Sequence, residues 1–351
     1  MRAIRENRDF TFSIVFGPLP SMSITLRQLA RQLNVAPSTV SRALAQDPGV
    51  GDARAAEIRA FAESLGYRPR PMRRGMNRMV GFITVTPDGH VSDAPYQMRL
   101  LASAMGVASA AGWHLLHEFA ARDADTLPSF VRENRVDGVL LSGLPSPGLC
   151  AELRRLAVPA VALNDTAARS GLPSVMADGA DGTRELVASL LAAGHRRLAF
   201  AATSVAFPTV AARVEAFRAA TKAAKVSARV VITNWTTIQQ GQVATRQILA
   251  RRPHPTAILY STDRLAVGGL IELGRLGISV PGDISIAAHD NTGLCHSTDP
   301  TITTVDLHQD EMVETAFATL RAWIESGVEP AATQTNIPAS VRWRASCAGA
   351  L

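Results

Sequence analysis

From Ile24 onward, apolar and polar positions recur with a helical period. Leu26, Leu29, Ala30 and Leu33 fall at i, i+3, i+4 and i+7 and predict one helix, ended by Asn34, a residue that tolerates a left-handed backbone. Pro37 suits the first position of a second helix, because a helix start leaves that N–H unbonded anyway. Val40 and Leu44 give this helix an inward face; Ser38, Thr39, Ser41 and Arg42 point outward. A third helix is predicted from Asp52 to about Leu65, with Ile58, Phe61, Ala62 and Leu65 on one stripe and Gly66 as its stop. Three short helices with a tight turn between the first two predict a helix-turn-helix unit.

After Tyr67 the stretch RPRPMRRGMNRM has no core-forming period and reads as a basic linker. The pattern then changes. Short β-rich runs at Met79–Val85, Trp113–Phe119, Gly138–Ser142, Ala160–Leu163, Val175–Ala177, Leu198–Ala202, Val230–Thr233, Ala257–Ser261, Ser285–Ala288 and Ile302–Val305 alternate with amphipathic helical segments. Such βα alternation predicts parallel sheets covered on both faces. Ten strands are too many for one compact sheet here, so the expected core is two stacked doubly wound subdomains with a ligand cleft at the carboxyl ends of their strands.

Charge sharpens the division. Residues 1–78 carry 13 arginines, no lysine and six acids, a balance of +7 where the whole chain has +6, so the remainder holds −1. A basic amino-terminal module on a near-neutral body is the footprint of a binder of anionic polymers. The 47% hydrophobic content describes a folded chain, and no apolar run nears the ~18 residues of a membrane span. Cys150, Cys295 and Cys347 lie too far apart for a C-x-x-C pair, so neither a disulfide framework nor a zinc cluster is expected, and a reducing cytoplasm fits. Residues 1–21 place basic positions ahead of a short apolar patch, Thr11 to Gly17, without a small-residue cleavage site. They read as a disordered extension or as a start assigned upstream of Met22.

The run ITLRQLARQLNVAPSTVSRALAQDPGV followed by AEIRAFAESLGYRPRP resembles the DNA-binding headpiece of the LacI/GalR family of bacterial transcription regulators. The likeness continues through VDGVLLSG, LLAAGHRRLAF, STDRLAVGGLIELGRLGISVPGDISIAAHDN and DPTITTVD, from about Ile24 to Cys347. It implies a helix-turn-helix headpiece (22–68), a hinge linker (69–78) and a periplasmic-binding-protein-like core (79–347). The core divides into a subdomain of about 79–193 with 307–334 and a second of about 194–306 with 335–347. It also implies a homodimer on double-stranded operator DNA, most often as a repressor, whose affinity a small effector in the core changes. No cofactor or metal is expected.

By family position, Pro37, Ser38 and Arg42 face base edges. Of these only Arg42 can make a bidentate contact to guanine, worth about 1–3 kcal/mol of discrimination. Thr25, Thr39 and Ser41 suit phosphates, Thr25 also being able to cap the first helix. Ala36 stands where the family usually has a capping Ser. In the linker, Met76 aligns with the minor-groove wedge and Met72 with its neighbour, flanked by Arg70, Arg73, Arg74 and Arg78, although Pro71 and Gly75 make this a poor helix. The resemblance places effector contacts at Asp88, Tyr96, Gln97, Arg213, Trp235, Asp263 and Asp290. Carboxylates and a guanidinium beneath flat rings suit a sugar or sugar acid. The family pattern breaks at Thr262, usually Asn, and at His289-Asp290-Asn291, where an aromatic and two acids are common. Asp178 reads as a helix cap and His195 as a structural turn residue. A periplasmic sugar receptor or a sugar-directed cleft enzyme is the alternative. The former would need a cleavable signal, and the latter finds no G-x-S-x-G, H-E-x-x-H or P-loop motif.

Overall fold

The computed structural model describes residues 26–44, 50–64, 76–86, 94–123 and 126–349. The chain divides into two compact units, one ending at Gly75 and one beginning at Met76.

In the first unit, α1 (Leu26–Gln32) turns through Asn34, at φ 51°, into α2 (Pro37–Leu44), and α3 (Asp52–Ser64) completes it. Leu29, Ala30, Val40, Ala43, Ala55, Ile58 and Ala62 are buried together, which are the positions the helical period selects. Arg54 on α3 donates to the Leu33 carbonyl at 3.0 Å and so closes off the exposed end of α1. The predicted stop at Leu65 and Gly66 lies outside the described residues.

The second unit begins with β1 (Met79–Thr86), α4 (Pro95–Ala110), β2 (His114–Ala121), α5 (Ser129–Arg132), β3 (Gly138–Ser142), α6 (Pro147–Arg155), β4 (Ala160–Leu163), α7 (Ala167–Ser170) and β5 (Ser174–Ala177). It continues with α8 (Gly179–Ala192), β6 (Arg197–Ala202), α9 (Pro208–Ala223), β7 (Ser227–Ile232), α10 (Ile238–Leu249), β8 (Ala257–Tyr260), α11 (Asp263–Arg275) and β9 (Ser285–His289). A short 3₁₀ turn (Gly293–His296), β10 (Thr303–Asp306), α12 (Gln309–Ser326), β11 (Gln334–Ile337) and β12 (Ser340–Arg342) finish the chain.

Two six-stranded sheets result, in the orders β11-β5-β4-β3-β1-β2 and β12-β10-β9-β8-β6-β7. Every pairing is parallel except β12 on β10. Strands such as β3, β4 and β8 are buried throughout, as parallel strands covered on both faces must be, and this is why they read as unbroken apolar runs.

Two features differ from the sequence expectation. The strands β11 and β12 are additional: QTNI is polar and mostly exposed, SVR has three residues, and each exists only because a sheet edge offers it a partner. The first crossover also falls earlier than residue 193. Although α8 follows β5 of the first sheet, it packs on α9, β10 and β12 of the second, so the chain changes subdomain at Asp178. The second crossover leads from β10 into α12, which packs on the first sheet, and the third lies between β11 and β12, a few residues beyond 334.

Candidate functional site

The DNA-facing candidates lie on α2 where described. Pro37, Ser38 and Arg42 are exposed and Thr39 is half-buried, while Val40 and Ala43 carry the packing. Ser41 is part of α2, but its side chain lies outside the described set, as do Thr25, Met72 and Arg73. Met76 is 41% exposed. Just after it, the Asp137 carboxylate accepts the N–H groups of Asn77 (3.2 Å) and Met79 (3.0 Å) and fixes the chain where it enters the core.

Within the core, a cavity of about 630 Å³ opens between the two sheets at the carboxyl ends of their strands. Tyr96, Gln97, Arg213, Trp235, Asp263 and Asp290 all line it; Asp88 lies outside the described residues. The first subdomain contributes the opening turn of α4 (Pro95, Tyr96, Gln97), Arg122 after β2, Ser142 and Gly143 after β3, and Asn164 after β4. The second contributes the segments after β6, β7, β8 and β9.

Arg213 is the best-buried cation of the cavity, 5% exposed. Its Nη1 donates to the Ser261 carbonyl at 2.8 Å and stands 3.7 Å from Asp290 Oδ1, an ion pair without a hydrogen bond, while its Nε has no partner among the described residues. Room for this guanidinium comes from Gly179, since a Cβ there would approach Nε to 2.6 Å. Gly179 is held in turn. Asp178 caps α8 by accepting the Asp181 N–H at 2.9 Å, and Thr183 Oγ1 lies 2.7 Å from the Gly179 carbonyl and 2.9 Å from His289 Nε2.

His289 is part of the core, not of the cavity. It stacks on Phe200, with ring centroids 5.9 Å apart, and burial pushes its pKa down to about 3. Being neutral, and with Nδ1 2.9 Å from the Tyr260 carbonyl, which can only accept, it carries its proton on Nδ1, and its Nε2 faces the Thr183 hydroxyl.

The two carboxylates diverge. Asp263 Oδ2 accepts the N–H (2.6 Å) and hydroxyl (2.9 Å) of Thr292, and Oδ1 accepts the Thr304 hydroxyl (2.7 Å). Burial raises its pKa to about 6 against these bonds. Asp290 has no hydrogen bond to its carboxylate among the described residues. Burial drives it well above the usual carboxylate range, with Arg213 opposing and Asp263 adding to the rise. Its backbone sits at φ 109°, followed by Asn291 at φ 50°, two consecutive non-glycine residues in a left-handed region. The corner is held by Asp290 N–H to the Val305 carbonyl (3.0 Å) and Gln309 Nε2 to the Asp290 carbonyl (3.2 Å).

On the facing wall, Tyr96 meets Asn164 through its phenol, and burial pushes that phenol's pKa up. The Gln97 Oε1 is buried without a partner among the described residues. Trp235 is 56% exposed at the rim, its carbonyl accepting from the Thr233 hydroxyl at 3.2 Å. Sequence reasoning missed Asn164, Arg122 and Gly179. Asn164 carried a usable signal, an Asn directly after an apolar strand, and it adopts φ 60°. Thr262, the departure from the family Asn, caps α11 through its hydroxyl at 3.3 Å, so the cap is kept by another residue. His195 is buried between the Thr256 hydroxyl and the Ala348 carbonyl, which makes it a structural link. Among the described residues no helix is long and apolar enough to cross a membrane.

The arrangement is that of a two-subdomain ligand-binding protein joined to a helical amino-terminal unit. A family described as periplasmic binding protein-like domain matches residues 187–347. The chain is 28% identical over 290 residues to the HTH-type transcriptional repressor CytR of Escherichia coli (strain K12), covering 80% of this chain and 84% of the relative. A LacI transcriptional regulator from a Rhodococcus species superposes with a TM-score of 0.66 at 26% identity, over 78% of this chain and 99% of that one. A LacI family regulator from Enterococcus faecium with bound ribose superposes at 0.69 and 21% identity, over 77% and 100%. In sequence and in fold the chain is similar to LacI-family transcription regulators.

Proposed function

We propose that this protein is a DNA-binding transcriptional repressor whose operator affinity is set by a small carbohydrate-class effector held between the core subdomains. The observation that carries the reading is the cavity itself, where Arg213 and Asp290 converge on space with hydrogen-bonding capacity unspent. Carboxylate and guanidinium together bind vicinal hydroxyls, and the Tyr96, Phe207 and Trp235 rings supply apolar faces for a sugar ring. The relative named as a repressor and the neighbour with ribose support the two halves of this reading. The division into headpiece, hinge and core, the helix-turn-helix role of α1 and α2, base reading by Pro37, Ser38 and Arg42, and a homodimer on a two-fold site belong to the same proposal.

Selection of genomic fragments by the full chain tests it. The expected product is a pseudo-palindromic site, and Arg42→Ala should weaken it about tenfold and relax preference at one base pair. Binding that is salt-sensitive but blind to sequence would contradict the proposal.

A further inference from the structure

Among the described residues the cavity is lined by three arginines, Arg122, Arg213 and Arg264, against two carboxylates, Asp263 and Asp290. One carboxylate is consumed by Thr292 and Thr304. Unlike Arg213, which pairs with Asp290, Arg122 has no ion pair among the described residues. Its backbone N–H donates to the Thr86 carbonyl at 2.8 Å, and its guanidinium carbon stands 5.0 Å from the centroid of the Phe207 ring. Stacking uses the face of a guanidinium and leaves the N–H donors, which lie in its plane, at the edge.

Arg122 follows β2 of the first subdomain and Phe207 immediately precedes α9 of the second, so the contact spans the cleft. At that end α9 begins with Pro208 and no side-chain cap. The Val210 and Ala211 N–H groups go to the Phe207 carbonyl, and the Thr209 N–H has no partner among the described residues. One turn further along, Arg213 is 5% exposed with its Nε unpaired among the described residues.

Resting on the effector reading above, we infer that the ligand carries an anionic group, a carboxylate or phosphate, which Arg122 receives at its guanidinium edge beside the first turn of α9. Asp290 does not oppose this placement. It follows β9, two strands from β6 in the sheet, or roughly 10 Å at the usual strand spacing. Hydroxyls then fall to Arg213 and Asp290 and the anion to Arg122, and a ligand so held touches both subdomains.

Calorimetric titration of the full-length protein with matched pairs decides the matter: ribose against ribose 5-phosphate, glucose against glucuronate and glucose 6-phosphate, with inorganic phosphate as the bare anion. An anionic sugar should bind at least tenfold more tightly than its neutral partner. Arg122→Gln should remove most of that advantage and Arg122→Lys restore part of it, the anionic sugar losing several-fold more affinity than its neutral partner. Neutral sugars binding as tightly as anionic ones, no anionic sugar binding, or Arg122→Gln weakening both alike would overturn the assignment. Operator selection, run with and without the same sugars, is read separately from calorimetry, so that failure is distinguishable from failure of the repressor reading.

Discussion

The two walls of the cavity are built from the same βα units yet do different work. The first-subdomain wall meets the ligand space mainly with neutral groups, Tyr96, Gln97, Ser142 and Asn164. The second concentrates buried charge, with Arg213, Asp263 and Asp290 following the neighbouring strands β6, β8 and β9. Within that wall the carboxylates split again: Asp263 is bonded to its own scaffold, whereas the Asp290 carboxylate, in a strained corner, has an ion pair and no hydrogen bond among the described residues. A group that has spent its hydrogen bonds on the fold stabilises the fold, and one buried without them is retained at a cost that ligand binding can offset.

The largest effect should separate those carboxylates by stability. Asp263→Ala strands Thr292 and Thr304 in a buried site and should cost about 3 kcal/mol in urea denaturation, while Asp290→Asn should leave stability unchanged or raise it by up to ~1 kcal/mol. Equal losses would erase the distinction. Next comes the contrast between walls. Arg213→Ala or Asp290→Asn should weaken the effector about 100-fold, near 2.7 kcal/mol, whereas Tyr96→Phe, which gives up one hydrogen bond to Asn164, should cost tenfold or less. Gly179→Ala sharpens the same contrast at a distance. Its Cβ displaces the Arg213 guanidinium, and a loss of about tenfold in ligand affinity is expected with operator binding retained.

The smallest effect is on pH dependence, where two buried groups act with opposite sign. Folded His289 titrates near 3, against about 6.5 when unfolded. Below about pH 6.5 the unfolded chain gains a proton that the folded chain refuses, so the stability this site supports at neutral pH is lost as pH falls. Folded Asp263, near 6, does the reverse: its favourable contribution is full below about pH 4 and is lost as pH rises through 6. Stability relative to His289→Gln should therefore fall from pH 7 to pH 4, and stability relative to Asp263→Asn should fall from pH 5 to pH 7, each read from denaturation midpoints.

Much of this wall was legible before any coordinates through the family resemblance, and its acids close apolar runs that end at the carboxyl edge of a parallel sheet. The turn at Asn34, the inward face of α2 and the ten principal strands follow from local pattern. What stayed hidden depends on pieces far apart in sequence. Nothing in QTNI or SVR announces a strand until a sheet edge pairs with it, and α8 gives no local sign that it packs on the sheet ahead of it. Gly179 matters only because Arg213, 34 positions later, lies against it. Arg122 is set apart only by Phe207, 85 positions later, against which its guanidinium lies.

The central claim is that occupancy of this cavity governs operator affinity. It is tested most directly by the dissociation constant of the full chain for its selected operator, measured with and without the effector, in the wild type and in Arg213→Ala. The account predicts a ligand-dependent change of at least tenfold in the wild type, and in Arg213→Ala an unliganded affinity within about twofold of it together with no ligand response. A variant that responds to ligand as the wild type does would contradict it.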